Sequence, residues 1–253
     1  MAVSNQATFD YLLRLGDAPL VLGQRLSEWC GKGPALEEDI ALTNVALDLI
    51  GQARLWLSYA GEVEGNGRTE DQLAYLRDAH QFRNPLLVEQ PNGSYADTLA
   101  RQFLFDTWHY YHLEALQASS DARIAGIAAK AIKEVAYHAR RSADLVVRLG
   151  DGTAESHRRM QEAIDRLWTY TGELFDSDAV DANLIAAEVA CDPALLHAPW
   201  RQQVADVLEE ATLAMPADGW MQRGSHTGRH SEHLGFLLAE MQFLQRAYPG
   251  ATW

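Results

Sequence analysis

At 253 residues and 47% hydrophobic content, the chain is long enough for one large domain with a sizeable core. Its 35 Asp and Glu outnumber 21 Lys and Arg, a formal charge of −14, which argues against nucleic acid or an anionic membrane surface as the main partner. Cys30 and Cys191 stand in no metal or redox spacing, the opening MAVSNQATFDYLLRLGD lacks an apolar signal core, and no apolar run reaches the roughly 18–20 residues of a membrane span, so a cytoplasmic protein that meets no membrane is expected.

In chain order, Thr8 to Trp29 reads as a first helix, with a kink or restart expected where Pro19 follows Gly16. Gly31-Lys-Gly-Pro34 breaks the chain, and Glu37 to Ala60 forms a second helix, apolar nearly all round and therefore expected to be buried on several sides. Three glycines between Gly61 and Arg68 end it. A short helix from Thr69 to Ala79 leads into an irregular arm, Phe82 to Tyr95. The third long helix runs from Asp97 to Ser119, with Leu99, Phe103, Asp106, Tyr110 and Leu113 at three- and four-residue steps. The fourth, Ile124 to Gly150, carries Ile124, Ala128, Ala131, Val135, His138, Ser142, Leu145 and Leu149 at alternating steps of four and three, the seam of a helix packed lengthwise on others. Thr153 caps a fifth, expected to reach Phe175. Shorter helices follow over Val180 to Ala190, from Asp192-Pro193 to Met215-Pro216, and from Ser231 to Ala247. No segment alternates long enough for a strand. The fold expected is all-α, a bundle of long helices with additional C-terminal helices, as a single domain over residues 1–253.

Two signals point to chemistry. Lys133-Glu-Val-Ala-Tyr-His138 lies one residue from Glu-x-x-His, the pair by which four-helix carboxylate proteins hold two metal ions. The third residue after Glu134 is Tyr137, whose ring is expected to fill the space a metal-bound imidazole would occupy, and His138 arrives one place late, able to pair with Glu134 at i, i+4. Asp48, inside an apolar helix, needs a partner if buried. Asp17, Asp48, Asp106 and Glu134 supply one acid per long helix, yet the residue three after Asp48 is Gly51, which has no ligand atom. Hydrogen-bonded polar links are the expectation for these acids, with no metal and no catalytic residue in this chain. Asp106-Thr-Trp-His109, with His112 a step further, and the cluster His226, His230 and His233 around Glu232 are likewise expected to be structural. Lys130, Lys133, Arg140 and Arg141 make the fourth helix locally basic, a solvated face or a contact for an anionic ligand or an acidic partner. No Gly-rich phosphate loop, Gly-x-Ser-x-Gly elbow or Cys–His nucleophile motif occurs.

Long segments of the chain are similar to the C subunits of bacterial 1,2-phenylacetyl-CoA epoxidases, multicomponent ring-epoxidising monooxygenases of aerobic phenylacetate catabolism. The resemblance rests on Arg14-Leu-Gly-Asp17, Gln24-Arg-Leu-Ser-Glu-Trp-Cys-Gly31, Leu47-Asp-Leu-Ile-Gly-Gln-Ala-Arg54, Leu87-Val-Glu-Gln-Pro-Asn-Gly93, Ala129-Lys-Ala-Ile-Lys-Glu134, Tyr137-His138, Glu232-His-Leu-Gly235, Leu238-Ala-Glu-Met-Gln242 and Leu244-Gln-Arg246. It implies a ferritin-like four-helix bundle in a subunit that has lost its metal site, leaving Asp17, Asp48, Gly51, Asp106, Glu134, Tyr137 and His138 as vestigial positions. It also implies a homologous catalytic A subunit that holds the di-iron centre and binds most of the phenylacetyl-CoA, and a separate reductase. Two other readings stay open: a ferritin-like di-metal oxygenase in its own right, and a free-standing helical adaptor.

Overall fold

The computed structural model describes residues 4–251; the first three residues of the opening stretch and the last two of the 1–253 span lie outside the described residues. Among the described residues there are eleven α-helices and no strand; the all-α class is the one the periodicities predict, while the short helix Leu86–Glu89 lies in the arm expected to be irregular. They are α1 (Asn5–Ser27), α2 (Leu36–Glu64), α3 (Glu70–Tyr75), α4 (Leu86–Glu89), α5 (Tyr95–Leu116), α6 (Ala122–Gly150), α7 (Ala154–Trp168), α8 (Ala179–Ala186), α9 (His197–Glu210), α10 (Glu232–Met241) and α11 (Phe243–Ala247). No helix among them is long and apolar enough to cross a membrane. The chain gathers into two compact units, Met1–Pro91 with Gly224–Trp253, and Asn92–Arg223.

The first unit is organised on α1 and α2. A Cβ at Gly16 would lie 2.7 Å from Leu57, and one at Gly23 would lie 3.2 Å from the Ala46 carbonyl, so the two helices run antiparallel and close together. Pro19 sits inside α1 without interrupting it. An internal proline costs about 3 kcal/mol; here the fully buried Leu12, Val21 and Leu22 on either side hold the helix to its partner. The second helix is not buried all round. It exposes Leu36, Ile40 and Leu47, the last by 62%, while Leu42, Leu49 and Trp56 face the core. The expected last helix is two, because the Gln242 side chain turns inward between α10 and α11 and donates to the carbonyls of Ala74 and Arg77, both at 3.0 Å.

In the second unit α5 packs on α6, α7 and α9. Trp200, on α9, is fully buried and donates through Nε1 to the Leu104 carbonyl at 3.0 Å, while stacking on Trp168 at 5.4 Å. The fifth expected helix stops at Trp168 rather than Phe175. The Thr169 carbonyl is taken by the backbone N–H of Gln222 at 2.7 Å, and Gly172–Phe175 is a single 3-10 turn. The helix expected over Val180 to Ala190 ends at Ala186; Glu188, two residues on, has a left-handed φ of 59°.

Candidate functional site

In the Asn92–Arg223 unit, the seam of α5 and α6 carries a buried polar group. Asp106 is fully buried and accepts from Gln102 Nε2 at 2.6 Å and from Ser142 Oγ at 3.1 Å. Burial pushes its carboxyl up to about 6, against the opposing pull of His138, Gln102, Ser142 and Arg141. Three histidines complete the group, His109, His112 and His138, all buried. Burial holds His109 well below its ordinary 6.5, helped by His112 and His138, and burial brings His112 to about 4. Both are therefore neutral near pH 7. They lie among aromatic rings, His109 at 5.0 Å from Phe105 and His112 at 4.7 Å from Trp108, and serve as core side chains.

The α6 helix turns the near-motif round. His138 is 1% exposed and faces the seam, whereas Tyr137 is 44% exposed. The expectation that the Tyr137 ring fills the interior space of a metal-bound imidazole is therefore overturned. The heptad seam that includes Ala131, Val135, His138 and Ser142 decides which residue points inward, and Tyr137 is off that seam. Glu134 is half-buried, as is Arg141, and Lys130, Lys133 and Arg140 are exposed.

In the other unit, Asp17 is fully buried with both oxygens engaged. Arg77 donates through Nη2 to Oδ1 and through Nη1 to Oδ2 at 3.0 Å, and the Arg83 backbone N–H reaches Oδ2 at 2.8 Å. The Arg77 guanidinium also lies 4.3 Å over the Phe82 ring. Asp48 is only half-buried, so the expected buried carboxylate is not found there, and Gly51 faces open space. The position turned into the core beside them is Gln52.

A further buried carboxylate, Glu89, carries no signal in the sequence that marks it as buried. Its Oε2 meets His230 Nδ1 at 2.8 Å and Asn84 Nδ2 at 3.1 Å, and its Oε1 accepts from the Ser231 backbone N–H at 2.6 Å. His230 Nε2 lies 3.0 Å from the Phe82 carbonyl. Both ring nitrogens thus face acceptors, which requires both to donate and the ring to be a cation. Burial alone would pull the His230 pKa down; the Glu89 hydrogen bond and charge, the Phe82 carbonyl and Asp17 outweigh it and raise it above 6.5. The His226–His230–His233 cluster read by count does not act as a set, since His230 is committed to Glu89. The one sequence trace of this arrangement is that Glu89 lies in Leu87-Val-Glu-Gln-Pro-Asn-Gly93.

A two-metal centre needs carboxylates with free lone pairs converging with nitrogen ligands. These residues do not fit one. Both Asp17 oxygens are held by Arg77 and Arg83, Gly51 and Tyr137 face outward, and Asp106 is held by Gln102 and Ser142. Among the described residues of the α5–α6 seam, no three ligand atoms from Asp106, His109, Glu134 and His138 lie within 4.8 Å of one another.

Comparison with known proteins agrees with the resemblance read from the sequence. The chain is 53% identical over 249 residues to the C-type subunit of the 1,2-phenylacetyl-CoA epoxidase of Escherichia coli (strain K12), covering 98% of this chain and 100% of that protein. A family described as phenylacetic acid catabolic protein, ferritin-like and all-α, matches residues 1–253. The chain belongs to this phenylacetic acid catabolic protein family.

Proposed function

We propose that this chain is a non-catalytic structural subunit of a phenylacetyl-CoA 1,2-epoxidase, a cytoplasmic oxygenase complex of aerobic phenylacetate catabolism. In this reading it pairs with a homologous A subunit that carries the di-iron centre and most of the acyl-CoA site, and a reductase supplies electrons. The identity to the E. coli protein along the whole of its length supports the complex. The observation that carries the supporting role is the occupation of the interior carboxylates: Asp17 by Arg77 and Arg83, Asp106 by Gln102 and Ser142. Carboxylates engaged in this way brace helices, with each oxygen already accepting a hydrogen bond. The runner-up, a di-metal oxygenase in its own right, draws on one observation, the buried His109 Nδ1, which has no hydrogen-bond partner.

The deciding experiment is turnover of phenylacetyl-CoA with oxygen and reductase, by this chain alone, by the A subunit alone and by the two together, each after iron loading. Activity only in mixtures containing the A subunit, with no iron retained by this chain, is the expected result. Epoxidation by the iron-loaded chain alone would establish the runner-up instead. An active A subunit that neither binds this chain nor responds to it would leave the free-standing adaptor.

A further inference from the structure

The outer face of α2 carries the spacing of a helix seam, although α1 packs on the helix's other side. Glu37, Ile40, Asn44, Leu47, Gly51 and Arg54 follow one another at alternating steps of three and four, all exposed, and so form one stripe. Single exposed leucines are ordinary. Here three large apolar side chains stand on one helix, Leu36 at 72%, Ile40 at 52% and Leu47 at 62% exposure. Gly51 interrupts the stripe, and glycine disfavours a helix interior relative to alanine. No left-handed φ calls for it, and among the described residues no atom beyond the local helix backbone lies within 4 Å of the place a Cβ would take. Neither conformation nor internal packing therefore explains the residue. Gly126 and Gly235 are open in the same way, so the notch has meaning here through the stripe around it. It leaves room for a large side chain to approach the α2 backbone from outside.

The two ends of the stripe are of opposite charge. Glu37 stands at the start, beside Glu38 and Asp39 in the first turn, and Arg54 stands towards the other end. Arg54 meets Glu70 at 3.3 Å, but its side chain is 75% exposed, and a surface pair of this kind holds weakly. Laid antiparallel on a second α2, about a two-fold axis at the level of Val45 and Ala46, the stripe complements itself. Glu37 comes opposite the partner's Arg54, Ile40 opposite the notch at the partner's Gly51, Leu36 opposite the partner's Leu55, and Asn44 opposite the partner's Leu47. Asp48, half-buried at the edge of the stripe, comes opposite the partner's Thr43 and not another acid. A parallel pair would instead set Glu37 against Glu37 and Arg54 against Arg54. Another sequence would have to supply both the matching charges and the matching knob; this stripe holds them in the required order, which favours a second copy of the chain.

We infer that the outer face of α2 is a self-association surface, on which two copies pair antiparallel with Ile40 of each at Gly51 of the other and Glu37 meeting Arg54 across the axis. The pairing involves this chain alone and does not rest on the subunit reading. A contact of one helix from each copy, about 28 Å long from Leu36 to Leu55, lies at the small end of specific interfaces, roughly 1,200 Å² in total. Dissociation in the micromolar range is therefore expected.

The test is sedimentation equilibrium of the full-length chain at low salt, from about 1 to 200 μM, with circular dichroism confirming the helicity of every variant. The unmodified chain should dimerise. Leu47→Glu and Gly51→Leu should each weaken the dimer roughly tenfold or more. Gly51→Leu should do so without loss of monomer stability in thermal unfolding, since the site is open and leucine favours a helix. Glu37→Arg and Arg54→Glu alone should each weaken it roughly three- to tenfold, and the two together should restore it to within about twofold. A dimer indifferent to Leu47→Glu and Gly51→Leu would overturn the inference, because it would use another face. Single charge reversals that the double does not repair would overturn the antiparallel pairing. A chain that stays monomeric throughout would overturn the inference and leave the subunit reading untouched; if Gly51→Leu then weakened binding to a co-expressed A subunit, the face would belong to that subunit instead.

Discussion

The Asp17–Arg77 pair offers the sharpest measurement of what the interior carboxylates do. Both side chains are essentially buried, at 0% and 2% exposure, and the pair is two-pronged. Replacing Asp17 by Leu leaves the Arg77 guanidinium in the core facing only carbonyls and the Phe82 ring. Breaking a buried pair by removing one partner costs about 3–5 kcal/mol, a large share of the roughly 5–15 kcal/mol that keeps a domain folded. In a chain of this size the midpoint of thermal unfolding should fall by roughly 6–20 °C. The double variant Asp17→Leu/Arg77→Met removes the stranded charge and fills the space with apolar atoms. It still leaves the Arg83 N–H without its acceptor, a loss of about 1–3 kcal/mol. The double variant should therefore be more stable than Asp17→Leu alone, with a coupling of roughly 2 kcal/mol between the two sites. Urea titrations followed by circular dichroism and tryptophan fluorescence give both numbers. A single variant within about 1 kcal/mol of the unmodified chain, or strictly additive losses in the double, would refute the view that Asp17 is an internal brace closed by Arg77.

Three other measurements follow from the same structure. The His230 pKa is raised above 6.5, so its stabilisation is complete below pH 6.5 and is lost as pH rises through the higher folded value; the stability difference between the unmodified chain and His230→Gln should shrink from pH 6 to pH 9, and a constant difference would contradict the Glu89–His230–Phe82 bridge. Asp106 is the opposite kind of group, an acid raised from 3.8 to about 6, so its charged form is disfavoured in the fold; the chain should lose stability from pH 4 to pH 6, and Asp106→Asn should be at least as stable as the unmodified chain at pH 7, by up to about 2 kcal/mol, which denaturant midpoints will read. Gly16→Val should destabilise by about 1–3 kcal/mol through overpacking against Leu57, with Leu57→Ala in the same chain recovering part of the loss in thermal unfolding.

The elements legible in the sequence were those governed by periodicity. The seam of α6 as far as Ser142, the caps at Thr153 and Asp192 and the break at Gly31–Pro34 lie where the spacing puts them, because helix phase and capping are local properties; beyond Ser142 the buried positions are Val146 and Gly150 instead of the expected Leu145 and Leu149, which are half-buried. Endings set by distant partners were not legible. Nothing near Phe175 announces that the Thr169 carbonyl bonds to Gln222, and nothing near Gln242 announces its bonds to the carbonyls of Ala74 and Arg77. The site divides in the same way. Asp17 and Asp106 could be recognised as acids placed one to a long helix, but their partners Arg77 and Ser142 lie 60 and 36 residues away. Reading Tyr137 as the inward residue failed because it followed the spacing of a metal motif rather than the seam already visible in α6, in which His138 holds the inward position.

Asp17, Glu89 and Asp106 each settle their interior charge on other groups of this chain. A site for two divalent ions must hold several carboxylates as anions with little nearby positive charge, since it is their negative charge that offsets the ions. Asp17 is instead matched by the fixed charge of Arg77, and Glu89 by a His230 ring whose two nitrogens both face acceptors. Burial raises the Asp106 carboxyl to about 6, so its charge is disfavoured in the fold and is offset by the hydrogen bonds from Gln102 and Ser142. Placing divalent ions on such groups would first require Arg77 to be displaced from Asp17 and a proton to leave His230, each leaving a buried group unpaired. The cost falls on packing and on helix position, the properties a supporting subunit must keep fixed. The carboxylates that most resemble metal ligands in the sequence are thus committed to other groups of this chain, which supports the structural-subunit role proposed above.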